Sequence, residues 1–173
     1  MEVYNRTGVE PKVLKAAEDE AARIFRNAGF EVAWLDCSSA TSKGERNAIC
    51  SEPFSATRFA VRVVSHTPPG YEKTLLGVSF PFSNGGTLMT VFYNRVNELA
   101  NKHIATHAQI LGHAMAHEMG HLLLGPTFHD GLGIMREPWT AEDLERLATG
   151  TLLFSTEESI LMHCELRRRI RGQ

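Results

Sequence analysis

The chain has 173 residues, with 18 Lys and Arg against 20 Asp and Glu, for a net charge of -2. That near-balance lacks the basic excess of a dedicated nucleic-acid binder. A composition of 43% hydrophobic and 22% charged residues excludes a disordered or fibrous chain, and no apolar run approaches the ~20 residues needed to span a bilayer.

Pro11 suits the first turn of a helix, and apolar residues then recur at helical spacing from Val13 to Ala28 until Gly29 supplies a stop. A helix is therefore expected over 11–28. Residues 30–37 (FEVAWLDC) suggest a first strand, followed by a polar loop through about Glu52. Arg58 to Val64 alternates, with Phe59, Val61 and Val63 on one face and Arg58 and Arg62 on the other, the mark of a half-buried strand. Leu75–Phe80 and Leu88–Tyr93 are two further strands, joined through Pro81 and the turn-forming Asn84-Gly85-Gly86. Together they predict a small mixed or antiparallel sheet. From about Asn97 to Leu124 the period is helical, and Gly125-Pro126 ends the run. Thr140–Thr149 opens with a Thr N-cap and acidic residues in the first turn, a capping-box pattern. A last helix is expected over Thr156–Arg169, its basic tail read as a solvated face. No repeat or linker interrupts the chain, so 1–173 is expected to be one domain.

The first 30 residues carry charges throughout and show no leader, which leaves the compartment open: cytoplasmic as the chain stands, secreted or periplasmic if a leader has been removed. Cys37 and Cys50 bracket the polar loop and would pair in an oxidising compartment, leaving Cys164 free.

Histidine is the unusual count. Of 8 copies, His103, His107, His113, His117, His121 and His129 fall in one short stretch, which contains His117-Glu118-Met119-Gly120-His121. On a helix, positions i and i+4 share a face, so the imidazoles of His117 and His121 can close on one ion, with zinc the natural occupant. Glu118, rotated about 100° around the helix, stands beside the ion, where a carboxylate can act as general base toward water. Gly125-Pro126 lets the chain reverse and bring His129 back as third ligand. Asp130 is the nearest substitute, and Glu142 and Glu145 are carboxylates that a thermolysin-like (gluzincin) arrangement would use. His113 lies four residues before His117, as a hydrogen-bonded buried residue or an alternative ligand. His103 and His107 share the i, i+4 spacing but have no third partner. His66 and His163 carry no pattern, and Met115, Met119 and Met162 read as core.

Beyond His129 stand Gly133-Ile134-Met135. With the preceding motif, this resembles the metzincin group of zinc endopeptidases, whose signature HExxHxxGxxH is followed by a tight turn with methionine under the metal. The resemblance implies a zincin-like α+β fold: a small twisted mixed sheet, an N-terminal helix, a long active-site helix, a Met-turn and C-terminal helices. It implies one catalytic Zn2+ held by His117, His121 and His129. Glu118 would be the general base for a metal-activated water, Gly125 the turning glycine and Met135 the Met-turn residue. The two gaps flanking Gly125 are each three residues rather than two, and Glu137 stands where some members carry a tyrosine two residues after the methionine. A peptide or protein is the implied substrate, with Leu88–Tyr93 as the edge strand that pairs with it and a monomer as the working unit. The competing reading is a zinc-stabilised binding or inhibitory module that keeps the ligands and does not cleave.

Overall fold

The computed structural model describes residues 1–38, 50, 55, 57–72, 74–80, 87–102, 105–129 and 133–172. Within these residues five strands form one mixed sheet: β1 (Glu2–Asn5), β2 (Leu35–Asp36), β3 (Ala60–Val64), β4 (Gly77–Phe80) and β5 (Leu88–Phe92), in the order β2-β1-β3-β5-β4. All neighbours run parallel except β4, which pairs antiparallel with β5 in the register Val78↔Thr90. Among the described residues five helices accompany it: α1 (Pro11–Asn27), α2 (Tyr93–Ala100), α3 (His107–Leu124), α4 (Ala141–Ala148) and α5 (Thr156–Arg171). The expected α+β architecture is the observed one.

Helix α1 begins with Pro11, whose missing N–H costs nothing there, and buries Leu14, Ala17, Ala21, Ile24 and Phe25 against α3. β3 alternates as the sequence requires, Val61 and Val63 buried and Arg62 exposed. Helix α3 is buried on every face from Ile110 to Leu123, packed between α1, α5 and the β4–β5 end of the sheet. A helix enclosed on all sides holds its side chains in fixed directions, which a metal or catalytic site needs. No helix among the described residues is long and apolar enough to cross a membrane.

Several expectations need correction. β1 pairs with both β2 and β3, although its four residues carry too short a pattern to stand out. The strand expected over 30–37 contracts to Leu35–Asp36, because only that stretch lies alongside β1. The helix expected from Asn97 to Leu124 is two helices. Thr106 starts α3: its hydroxyl accepts from the Gln109 N–H, and the Gln109 side chain accepts from the Thr106 N–H. Thr106→Ala is expected to lower stability by ~1 kcal/mol, measurable as a reduced urea midpoint at unchanged slope. Leu88–Tyr93 is not an edge strand: β5 is flanked by β3 and β4, which puts β4 at the margin. The Asn84-Gly85-Gly86 turn and most of the polar loop before Glu52 lie outside the described residues. Cys37 and Cys50 form a disulfide, closing a loop with a sequence separation of 13, and Cys164 is free and exposed.

Candidate metal and catalytic site

Helix α3 presents His117 and His121 one turn apart, both more than nine-tenths buried. His117 Nδ1 lies 2.8 Å from the Ile134 carbonyl oxygen, and His121 Nδ1 lies 3.1 Å from that of Gly125. Carbonyl oxygens only accept, so both Nδ1 atoms carry the proton and both Nε2 atoms keep a bare lone pair. Those two Nε2 atoms face each other at 3.0 Å. Opposed lone pairs at that distance repel, and a cation between them turns the repulsion into coordination. Burial, reinforced by His121 and opposed by the Ile134 hydrogen bond, drives the His117 pKa down to about 3, and burial also lowers that of His121. Neutral imidazole is the form that binds a metal.

After α3 ends, Gly125 and Pro126 reverse the chain and return His129 to the pair, its ring centroid 4.8 Å from that of His121 and 5.9 Å from that of His117. Glu137 joins them, its Oε2 2.7 Å from His129 Nε2. Each of His117, His121, His129 and Glu137 offers one ligand atom, and these atoms lie within 4.8 Å of one another. Three imidazoles and a carboxylate form a donor set suited to zinc. The longer gaps around Gly125 do not keep His129 away, because the extra residues are taken up in the turn.

Glu118 points from the same helix toward the sheet margin. The Ser79 hydroxyl of β4 lies 2.6 Å from Glu118 Oε2 and 2.6 Å from its backbone carbonyl oxygen. A Cβ at Gly77 would sit 2.7 Å from Glu118 Cγ and 2.8 Å from its Oε1, so glycine is what lets β4 close over this carboxyl. Burial raises the Glu118 pKa to about 8, opposed by the Ser79 hydrogen bond and assisted by the charge of Glu137. A raised carboxyl pKa beside a ligand cluster is characteristic of an acid–base group.

Met135 is fully buried against α3, its sulfur only 2.4 Å from where a Cβ at Gly120 would be. Helix and loop therefore meet in direct contact at this level. The Ile134 carbonyl beside it also accepts from Trp139 Nε1 at 3.0 Å, so one oxygen anchors both the His117 ring and the returning chain.

No protein-family model and no curated sequence matches this chain. In fold it is similar to a zinc-dependent peptidase from Methanocorpusculum labreanum. The likeness covers 93% of this chain and 98% of that one, with a TM-score of 0.61 at 14% sequence identity. At that identity the likeness shows a shared α+β fold.

The structure thus brings His117, Glu118, His121 and His129 together as the sequence predicts, and leaves other candidates out. His113 has both ring nitrogens at backbone carbonyls, Gln109 at 2.8 Å and Leu152 at 3.1 Å, so it is a packing residue and not a ligand. Glu142 and Glu145 are exposed on α4 and do not join the cluster. Asp130 and His103 lie outside the described residues. His163 stacks on Phe30 at 3.9 Å, remote in role from the site. Sequence reasoning missed Glu137 as a member of the cluster, although its place two residues after Met135 was visible. It also missed Ser79 and Gly77, for which no local pattern exists, because their relation to Glu118 is made by the sheet.

Proposed function

We propose that this chain is a zinc-dependent endopeptidase, a single catalytic domain over 1–173 of metzincin type, with His117, His121 and His129 as metal ligands and Glu118 as general base. The observation that carries this reading is the pair of inward-facing Nε2 lone pairs, fixed by the Ile134 and Gly125 carbonyls, next to a buried carboxyl held at the sheet margin. Zinc, when bound, supplies a Lewis acid that polarises a carbonyl and lowers the pKa of water.

The chain's own groups supply the rest. β4 is the terminal strand of the sheet, and the groove beside it is lined by Gly77, Val78, Ser79, Glu118 and His121. An extended peptide adding to that edge gains main-chain hydrogen bonds and passes across Glu118. Glu118 takes a proton from the attacking water and returns it to the leaving amine, bringing it within reach of both through its place between β4 and the histidines. Ser79 holds the carboxylate form by donating to it. Ser79→Ala is therefore expected to push the Glu118 pKa further up and move the acid limb of the pH–rate profile to higher pH, which a kcat/KM profile reads directly.

The Cys37–Cys50 disulfide supports an oxidising, secreted or periplasmic setting for this activity. The alternative of a non-cleaving zinc module draws on Glu137, since structural zinc sites fill the fourth position with protein. Zinc analysis with digestion of a broad peptide library, with and without chelator, separates the two. Chelator-sensitive internal cleavage is the expected result. Stoichiometric zinc without cleavage of any library peptide would establish the binding module instead.

A further inference from the structure

The carboxylate of Glu137 stands inside the histidine cluster and not behind it. Partners that only orient a ligand imidazole take its outward nitrogen, as the Ile134 and Gly125 carbonyls do at Nδ1 of His117 and His121. Glu137 instead meets His129 at Nε2, and its own ligand oxygen lies within 4.8 Å of a ring nitrogen on each of the three histidines. His129 Nε2 and Glu137 Oε2 stand 2.7 Å apart, within hydrogen-bonding distance. The flanking backbone is tied down, since Trp139 donates to the Ile134 carbonyl and Arg136 pairs with Asp143. The Glu137 side chain is 26% exposed and borders both the groove along β4 and the cavity walled by Leu76 and Trp139. A peptide laid along β4 and continuing into that cavity has to pass it.

On the zinc-peptidase reading above, we propose that Glu137 is a displaceable fourth protein ligand. It completes the coordination of the cation in the substrate-free protein and yields that position to an incoming oxygen donor. Three neutral imidazoles leave a dication uncompensated, and an adjacent carboxylate is the ligand such a charge favours. Yielding requires only rotation about the side-chain torsions of Glu137, because the backbone on either side stays anchored.

Two consequences are measurable without turnover. Glu137→Ala is expected to weaken zinc binding by about tenfold or more, the scale of losing a supporting group at such centres, in competition against a chromogenic chelator. The same variant is expected to bind acetohydroxamate about tenfold more tightly in its cobalt-loaded form, read from the visible spectrum, because no carboxylate then competes for the position. Glu137→Gln, which keeps the size of the side chain, should fall between, and Glu142→Gln on α4 should match wild type. Zinc and acetohydroxamate affinities unchanged in both Glu137 variants would overturn the proposal. If wild type itself binds no zinc, the peptidase reading falls with it. If wild type binds zinc and cleaves peptides while the Glu137 variants bind both probes as wild type does, only the role of Glu137 falls.

Discussion

Glu118→Gln is expected to lower peptide hydrolysis by about 10³-fold while zinc stays bound at wild-type stoichiometry, because a general base of this kind contributes roughly 10²–10⁴-fold. The amide matches the carboxyl in size and its oxygen can still accept from Ser79, so the close fit against Gly77 is kept. A separate signature comes from the metal-free protein. Burial holds Glu118 protonated up to about pH 8, whereas in the unfolded chain it ionises near 4.5. The native state carries the extra proton, so this stabilisation is complete below 4.5 and is lost as pH rises to 8. His117 acts in the opposite sense. It is neutral in the fold down to about pH 3 and protonates near 6.5 when unfolded, so its contribution is complete above 6.5 and is lost as pH falls toward 3. The two slopes oppose each other between 4.5 and 6.5, and above 6.5 His117 adds none; the Met1 ammonium, whose pKa burial lowers from 8.0, acts in the same sense as His117 and is common to wild type and Glu118→Gln. Relative to Glu118→Gln, chelator-treated wild type should therefore lose on the order of 2 kcal/mol between pH 6.5 and 8. Urea unfolding at the two pH values measures the difference. Parallel losses in both proteins would mean the carboxyl is not held protonated by the fold, and equal cleavage by both would remove it from the chemistry.

The parts of this protein that could be read from the sequence are those encoded by short-range pattern. The spacing of His117, Glu118 and His121 is a property of one helix turn, and the reversal at Gly125-Pro126 is a property of two residues, so both survive into the structure. The same holds for α1, with Pro11 at its start and Gly29 beyond its end. What could not be read depends on contacts between distant segments. β1 is a strand because β2 and β3 lie on either side of it, and β4 is the margin because β5 is occupied on both sides. Ser79 reaches Glu118 across 39 positions of sequence. The break between α2 and α3 is a different case. The Thr106–Gln109 capping box was present in the sequence, but the apolar periodicity on either side of it suggested continuity. Glu137 stands where the resemblance would put a tyrosine, and its own chemistry, a carboxylate two residues after Met135, is the more informative fact.

The second large effect concerns the ligands themselves. Saturating zinc should stabilise wild type by ~4 kcal/mol when present at a thousand times its dissociation constant, and His117→Ala should abolish that response. The variant should still fold, since Trp139 continues to donate to the Ile134 carbonyl and keeps the loop carrying Met135 in place. His129→Ala is the sharper test. The side chain of His129 is 37% exposed and contacts His117, His121 and Glu137, so its removal should change the melting temperature of the metal-free protein little. Any loss in the zinc-dependent shift then reports coordination alone. We expect zinc affinity to fall by about 10²-fold, at the upper end of the loss seen for supporting residues, because the two helix nitrogens then have only the Glu137 carboxylate beside them. Thermal melts of wild type and variant with and without zinc, in parallel with chelator competition, give both numbers. A zinc-dependent shift in His129→Ala equal to that of wild type would remove His129 from the ligand set and return the third position to Glu137 or to a residue beyond the turn. The metal-free melting temperature, measured alongside, keeps that result from being mistaken for a folding defect.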